Sequence, residues 1–181
     1  MSATQWMLVL GLAICGFWML GAHNRIVGLR AGIAEAWSAV DALLEQRAAA
    51  LSGLVQGLWE LWPNGRASLD ALTAAQQQVH VAAQTVRAGP SRAAPVASLV
   101  SAEGALNATV ARLLNQVQAD DMLHTDDEVA TRMLVLFELG PRLIEARQRF
   151  NHATVVYNDA IHQFPTNLLA PMFRFDRAGS F

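Results

Sequence analysis

Eighteen consecutive residues near the start, Gln5 to Ala22 (QWMLVLGLAICGFWMLGA), carry no charged side chain, and no helix breaker follows until Trp62-Pro63-Asn64-Gly65. In helical form that run covers roughly 27 Å, close to the thickness of a bilayer's hydrocarbon core. Trp6 near one end, and Trp18, His23 and Asn24 near the other, are residues suited to a headgroup boundary. The run therefore reads as a transmembrane helix that continues into the rest of the chain, with membrane lipid contacted through residues 5–22. A cleaved signal peptide fits less well: no Lys or Arg precedes the run, and no small-x-small cleavage site follows it. A lipoprotein reading at Cys15 fails because Ile14 is bulky where a small residue is needed. Arg25 and Arg30 follow the run directly, and basic residues favour the cytoplasmic side, so the C-terminal region is expected in the cytoplasm.

Beyond the anchor, about 155 residues remain, enough for one domain with a sizeable core. A formal net charge of −2 without a basic cluster argues against nucleic acid as a partner. One Cys excludes an intramolecular disulfide framework. All 13 basic residues are Arg, and Ala is abundant, a composition that favours helices.

Hydrophobic spacing then marks four helical segments. Ile26, Ile33, Trp37, Leu44, Leu51, Leu54 and Leu58 recur at steps of three, four and seven, which is one apolar stripe. Asp41 falls inside that stripe and needs a cationic or donor partner, because burying it alone costs several kcal/mol. A second helix spans about Ser68 to Arg87, with Leu69, Leu72, Val79 and Val86 inward and Gln76 to Gln78 read as a solvated face. Gly89, Pro90, Ser91 and Pro95 break the chain before a third helix, about Val96 to Ala119, with Leu99, Leu106, Val110, Leu113 and Val117 at helical spacing. Thr125 followed by Glu128 resembles a capping box opening a fourth helix through Val129, Met133 and Leu136, and Pro141 should kink or divide it before it resumes to about Gln163. No segment alternates apolar and polar residues as a strand would. The expected fold is all-α: an N-terminal transmembrane helix (1–24) continuing into an antiparallel up-and-down four-helix bundle (25–165), then an aromatic C-terminal tail (166–181).

The segment from Ala146 to Phe175 resembles the C-terminal signature of the LemA family. Ala146-Arg147, Phe150-Asn151, Tyr157-Asn158, Phe164-Pro165, Asn167, Leu168 and Ala170 match it, with Phe150 where the family has Tyr. Arg25, Ile26, Val27, Leu29, Ala36, Trp37, Ser38, Asp41, Arg47, Leu54 and Val55 resemble the family's first helix. Departures occur at Ser52-Gly53, where the family has Pro-Asn, at Gly140-Pro141 for Glu-Asn, and at Arg174 for Gly. The resemblance implies a divergent member: a single-pass bacterial membrane protein with a helical bundle and no established enzymatic reaction. In the family it resembles, a member takes part in magnetosome formation, and others are associated with membrane-protein quality control or envelope functions.

Arg147, Asn151, Thr154 and Asn158 stand at i, i+4, i+7 and i+11, one side of the last helix. We expect a structural polar layer of Asp41, Arg147, Asn151 and Asn158, with Asp41, and Arg47 beside it, facing that side. Asp41 would accept from Arg147 or Asn151. The histidines at 23, 80, 124, 152 and 162 lack the i, i+4 pairing of a helical metal site. Asp120, Asp121, His124, Asp126, Asp127 and Glu128 read as a solvated helix start rather than a cation site. No phosphate loop or activated nucleophile is visible. No catalytic, cofactor-binding or metal residue is therefore assigned.

These features point to a non-enzymatic, inner-membrane scaffold or accessory protein presenting its bundle to membrane or envelope proteins. Two other readings are a self-assembling, membrane-shaping homo-oligomer, with Gly11 and Gly16 in the anchor, and a metal-dependent enzyme subunit using the acidic connection. In the tail, Met172, Phe173, Phe175 and Phe181 are candidates for partner or membrane contact, or for covering the open end of the bundle.

Overall fold

The computed structural model describes residues 3–164, 166–169, 173 and 175–181; the side chains of residues 3, 4, 8, 9, 12, 121, 124, 168 and 169 also lie outside the description. The fold is all-α, with no strand among the described residues. Helix α1 runs unbroken over Ala3–Leu61, α2 over Arg66–Arg87, α3 over Ala93–Gln118, the short α4 over Asp121–His124, α5 over Asp127–His162 and α6 over Thr166–Leu169. Helix α5 lies along α1, α2 lies along α3, and these two pairs close on one another. The ion pair between Arg87 and Asp41 shows α2 returning antiparallel to α1, and Gln116 accepting from Ser68 does the same for α3 against α2.

Burial follows the periodic residues. Ile26, Ile33, Leu51, Leu54 and Leu58 on α1, Leu69, Leu72 and Val86 on α2, and Leu99 and Leu113 on α3 are at most 1% exposed. Gln76 departs from the solvated row: it is half-buried, and its amide donates to the Ala48 carbonyl across the α1–α2 contact.

The connection from α1 to α2 is a single 3-10 turn, Pro63–Gly65. Pro63 at its start loses nothing, because the first N–H of a helical turn has no internal partner. Gly65 is required by space: a Cβ there would stand 1.9 Å from the Trp62 ring. Pro95 falls in the first turn of α3, where it is tolerated for the same reason as Pro63.

Two local expectations are corrected. Pro141 does not divide the last helix; α5 passes through it. Phe137, whose carbonyl loses its donor, is 62% exposed, and Pro141 is exposed as well, so that carbonyl faces water. The cap of α5 is Asp126, not Thr125: its carboxylate accepts from the Val129 N–H at 2.9 Å, while Thr125 Oγ1 donates backward to the Met122 carbonyl.

The first five turns of α1 differ from the remainder. Trp6, Met7, Leu10, Ile14, Phe17 and Leu20 are all more than half exposed, and Ile26 is the first buried residue of the helix among the described side chains. Among the described residues no helix is long and apolar enough to cross a membrane. Leu8, Val9 and Leu12, three of the most apolar residues of the Gln5–Ala22 run, have side chains outside the description.

Replacing Gly65 with Ala should force Trp62 out of its seat and lower stability by about 2 kcal/mol, the usual cost of overpacking. Chemical denaturation of the Gly65→Ala chain in detergent, read by tryptophan fluorescence, measures it.

Candidate functional site

Polar residues inside the bundle form two groups, and neither is the one the sequence suggests. Asp41 does lie on the buried stripe of α1, but its Oδ2 accepts from Nε of Arg87 at 2.6 Å, and Glu45 pairs with the same guanidinium. Arg87 is in the last turn of α2, where the helix dipole also favours a cation. Donating to Asp41 raises its already high proton affinity further. Beneath the pair is a cavity of about 40 Å³ lined by Arg47, Gln76 and His80 among others. It has room for a water molecule or two, not for a metabolite.

The second group sits where α1, α3 and α5 converge. Arg147 on α5 pairs with Glu103 on α3, and Arg47 on α1 donates to Asn107 Oδ1 at 2.6 Å. Glu103 is only 3% exposed. Burial pushes its carboxyl above the usual range, with the nearby Arg147 and Arg47 pulling the other way. Burial also holds the Arg47 guanidinium below its ordinary value, opposed by Glu103. Asp41 therefore does not join Arg147 or Asn151 in one layer. Arg147 finds its anion on α3, because α1 and α5 touch along a strip that leaves Asp41 turned toward α2. Glu103 went unassigned in the sequence, though the signal was there: it stands four residues after Leu99 and three before Leu106, on the buried face.

Asn151 and Asn158 face neither group. They hold the end of the chain, which runs back along α5 in extended form. The Asn158 amide donates to the Ala178 carbonyl at 3.1 Å and its Oδ1 accepts from the Ala178 N–H at 2.8 Å. Asn151 makes the same two bonds with Phe181, at 3.3 and 2.8 Å. Each carboxamide thus stands in for the backbone of a neighbouring strand. The register follows from geometry: seven helical residues rise about 10.5 Å and three extended residues span about 10 Å, so positions seven apart on α5 meet positions three apart on the tail. Between them Tyr157, fully buried, donates to the Asp176 carbonyl at 3.0 Å. Burial raises the proton affinity of its hydroxyl, with Arg30 opposing. Thr154 donates within its own helix, to the Asn151 carbonyl.

The tail aromatics assigned to partner or membrane contact are mostly otherwise engaged. Phe181 stacks on Trp37 with ring centroids 6.5 Å apart, meets Phe150 edge-on at 5.3 Å, and lies under Arg147. Phe175 is buried beside His23, with Arg30 over its face. Covering these rings removes apolar surface from water, which outweighs any gain from leaving them free. Phe173 touches His23 and remains 39% exposed, and Met172 lies outside the described residues.

The acidic connection has local work. Asp120 caps α4 by accepting from the Met122 and Leu123 N–H groups, Asp126 caps α5, and Glu128 pairs with Arg132. Asp121 and His124 have side chains outside the description, and among the described residues no group of three His, Cys, Asp or Glu side chains could hold a metal. Arg132 also donates to the Gly53 carbonyl at 2.7 Å, lying in the shallow strip left by Gly53 and Gly57.

The two groups should respond differently to mutation. Arg147→Met leaves Glu103 buried without its direct partner and should cost about 3 kcal/mol at neutral pH. Asp41→Ala leaves Arg87, which is already partly in water, and should cost about 1 kcal/mol. A carboxyl whose folded affinity for a proton is raised gives stability that is fully present below its unfolded pKa and lost as pH rises through the folded value. The Arg147→Met penalty should therefore shrink in acid, which denaturation curves at neutral and mildly acidic pH will show.

No curated protein matches the chain. The LemA family model matches residues 36–181, a span that includes most of α1's buried stripe, both polar groups and the asparagine-held tail. The chain belongs to the LemA family.

Proposed function

We propose that this protein is a non-enzymatic, membrane-anchored scaffold or accessory subunit, with the first part of α1 crossing the bilayer and the bundle offered to membrane-protein partners. One observation carries the reading: a single helix joins a bare apolar end, where Trp6, Leu10, Ile14 and Phe17 are at least 60% exposed, to a well-buried bundle. In water such an end is costly at roughly 25 cal/mol for each Å² of apolar surface, and lipid removes that cost. The sequence run of eighteen uncharged residues has the length for it. Arg25 follows the run and is exposed, which supports a cytoplasmic position for the bundle.

Partner contact falls to the outer face of α5. Leu134, Phe137 and Ile144 are between 55% and 62% exposed there, and their spacing of three and seven puts them on one side of the helix with Pro141. Exposed apolar rows of this kind suit a helix-packing partner.

The test is purification of the tagged full-length chain from carbonate-washed membranes in mild detergent, with mass spectrometry of bound proteins and light scattering of the particle. The wild type should stay in the washed membranes, and a Leu10→Arg/Ile14→Arg chain should leave them. A stoichiometric membrane protein should accompany the wild type and be lost on Phe137→Asp. Release of the wild type by carbonate would end the anchor reading. A particle holding many copies of this chain alone would replace the accessory role with self-assembly.

A further inference from the structure

We propose that the groove filled by residues 175–181 is a transferable peptide seat, and that it takes the same segment from a second copy of this chain. Every hydrogen bond that Asn151, Tyr157 and Asn158 make to the tail ends on tail backbone: the Asp176 carbonyl, and the N–H and carbonyl of Ala178 and of Phe181. Such contacts are indifferent to which chain supplies the backbone, as when an extended peptide adds to a sheet edge.

Selectivity comes from the side chains. A Cβ on residue 179 would stand 2.7 Å from the Ala93 Cα and 3.3 Å from the Val96 Cβ of α3, so glycine is required there. Ala178 is buried, while Phe175 and Phe181 fill aromatic sites at the two ends. Asp176, Arg177 and Ser180 are exposed and free to vary. The ligand class is thus an extended segment reading aromatic, two free positions, Ala-Gly, one free position, aromatic.

A second copy carries that segment by construction. Residues 163–174 separate α5 from the tail, and with α6 inside them drawn out these twelve residues span up to roughly 40 Å, enough to reach a neighbouring bundle. Exchange of an identical element keeps every contact of the seat and changes only its source.

Two full-length variants in mild detergent test this. Gly179→Val evicts its own tail and keeps the groove; Asn151→Ala/Asn158→Ala breaks the groove and keeps the tail. Carrying different tags, they should capture one another in equal amounts. Neither should capture a differently tagged copy of itself, and a synthetic peptide of residues 175–181 in excess should separate the mixed pair. Absence of mixed capture between variants with wild-type helix content overturns the proposal, as does equal capture among Gly179→Val copies alone. Should either variant fail to fold, hydrogen exchange of the wild type decides. The Ala178 and Phe181 amides should exchange at least about tenfold faster than those in the middle of α5, through local opening. Exchange only through global unfolding would sink the idea. Membrane fractionation has no part in these outcomes, so the anchor reading stands or falls separately.

Discussion

The apolar stripe of α1 from Ile26 to Leu58 has to be covered, and the rest of the molecule is arranged to do so. A helix of 59 residues cannot bury one continuous face against itself. Helix α5 covers one flank, α2 the other, and α3 packs along α2 and reaches α1 where Arg47 donates to Asn107. Near Trp37 the helices leave an opening, and the returning tail fills it with Phe181. Above His23, which Phe173 and Phe175 still touch, Trp6, Leu10, Ile14 and Phe17 stay at least 60% exposed among the described residues, and the proposed anchoring would take them out of water. The fold and the proposed anchoring are two consequences of one long helix.

Charge inside this bundle is placed where the helices must be told apart. Apolar stripes alone would allow α3 to slide or rotate against α5 with little loss, since Leu, Val and Ala are nearly interchangeable in such contacts. Glu103 against Arg147, with Arg47 on Asn107 beside them, permits only one register. Burial holds the Glu103 carboxyl above its usual range despite Arg147 and Arg47, and desolvation offsets much of the attraction in a buried pair of this kind. The Asp41–Arg87 pair is nearer to water and fastens the end of α2 instead.

Much of the fold was legible because helical burial leaves a one-dimensional trace. All seven stripe residues read from α1 are buried, as are Leu69, Leu72, Val79 and Val86, and the breaks at Pro63–Gly65 and Gly89–Pro90 fall between helices. Periodicity names a face without naming its neighbour, which is why Asp41 was seen to need a cation while Arg87 was not identified. Local propensity marks Pro141 as a break, but solvent can satisfy the Phe137 carbonyl, a fact decided by tertiary placement. Caps are ambiguous by one residue wherever Thr and Asp adjoin, as at Thr125 and Asp126.

The asparagines show the limit most clearly. Their spacing of seven was visible, and so was the aromatic residue before each, yet both were read as an interhelical layer. In each pair the aromatic ring turns into the core, Phe150 and Tyr157 being fully buried, and this turns the next side chain to the edge of α5. Another helix offers such a carboxamide a second bond to a carbonyl at most, as Ala48 does to Gln76, because its backbone N–H groups are already taken. Only an extended segment has free N–H and carbonyl groups to offer in pairs. The seven-residue repeat on α5 is therefore matched by an extended partner with a three-residue repeat, which Ala178 and Phe181 supply.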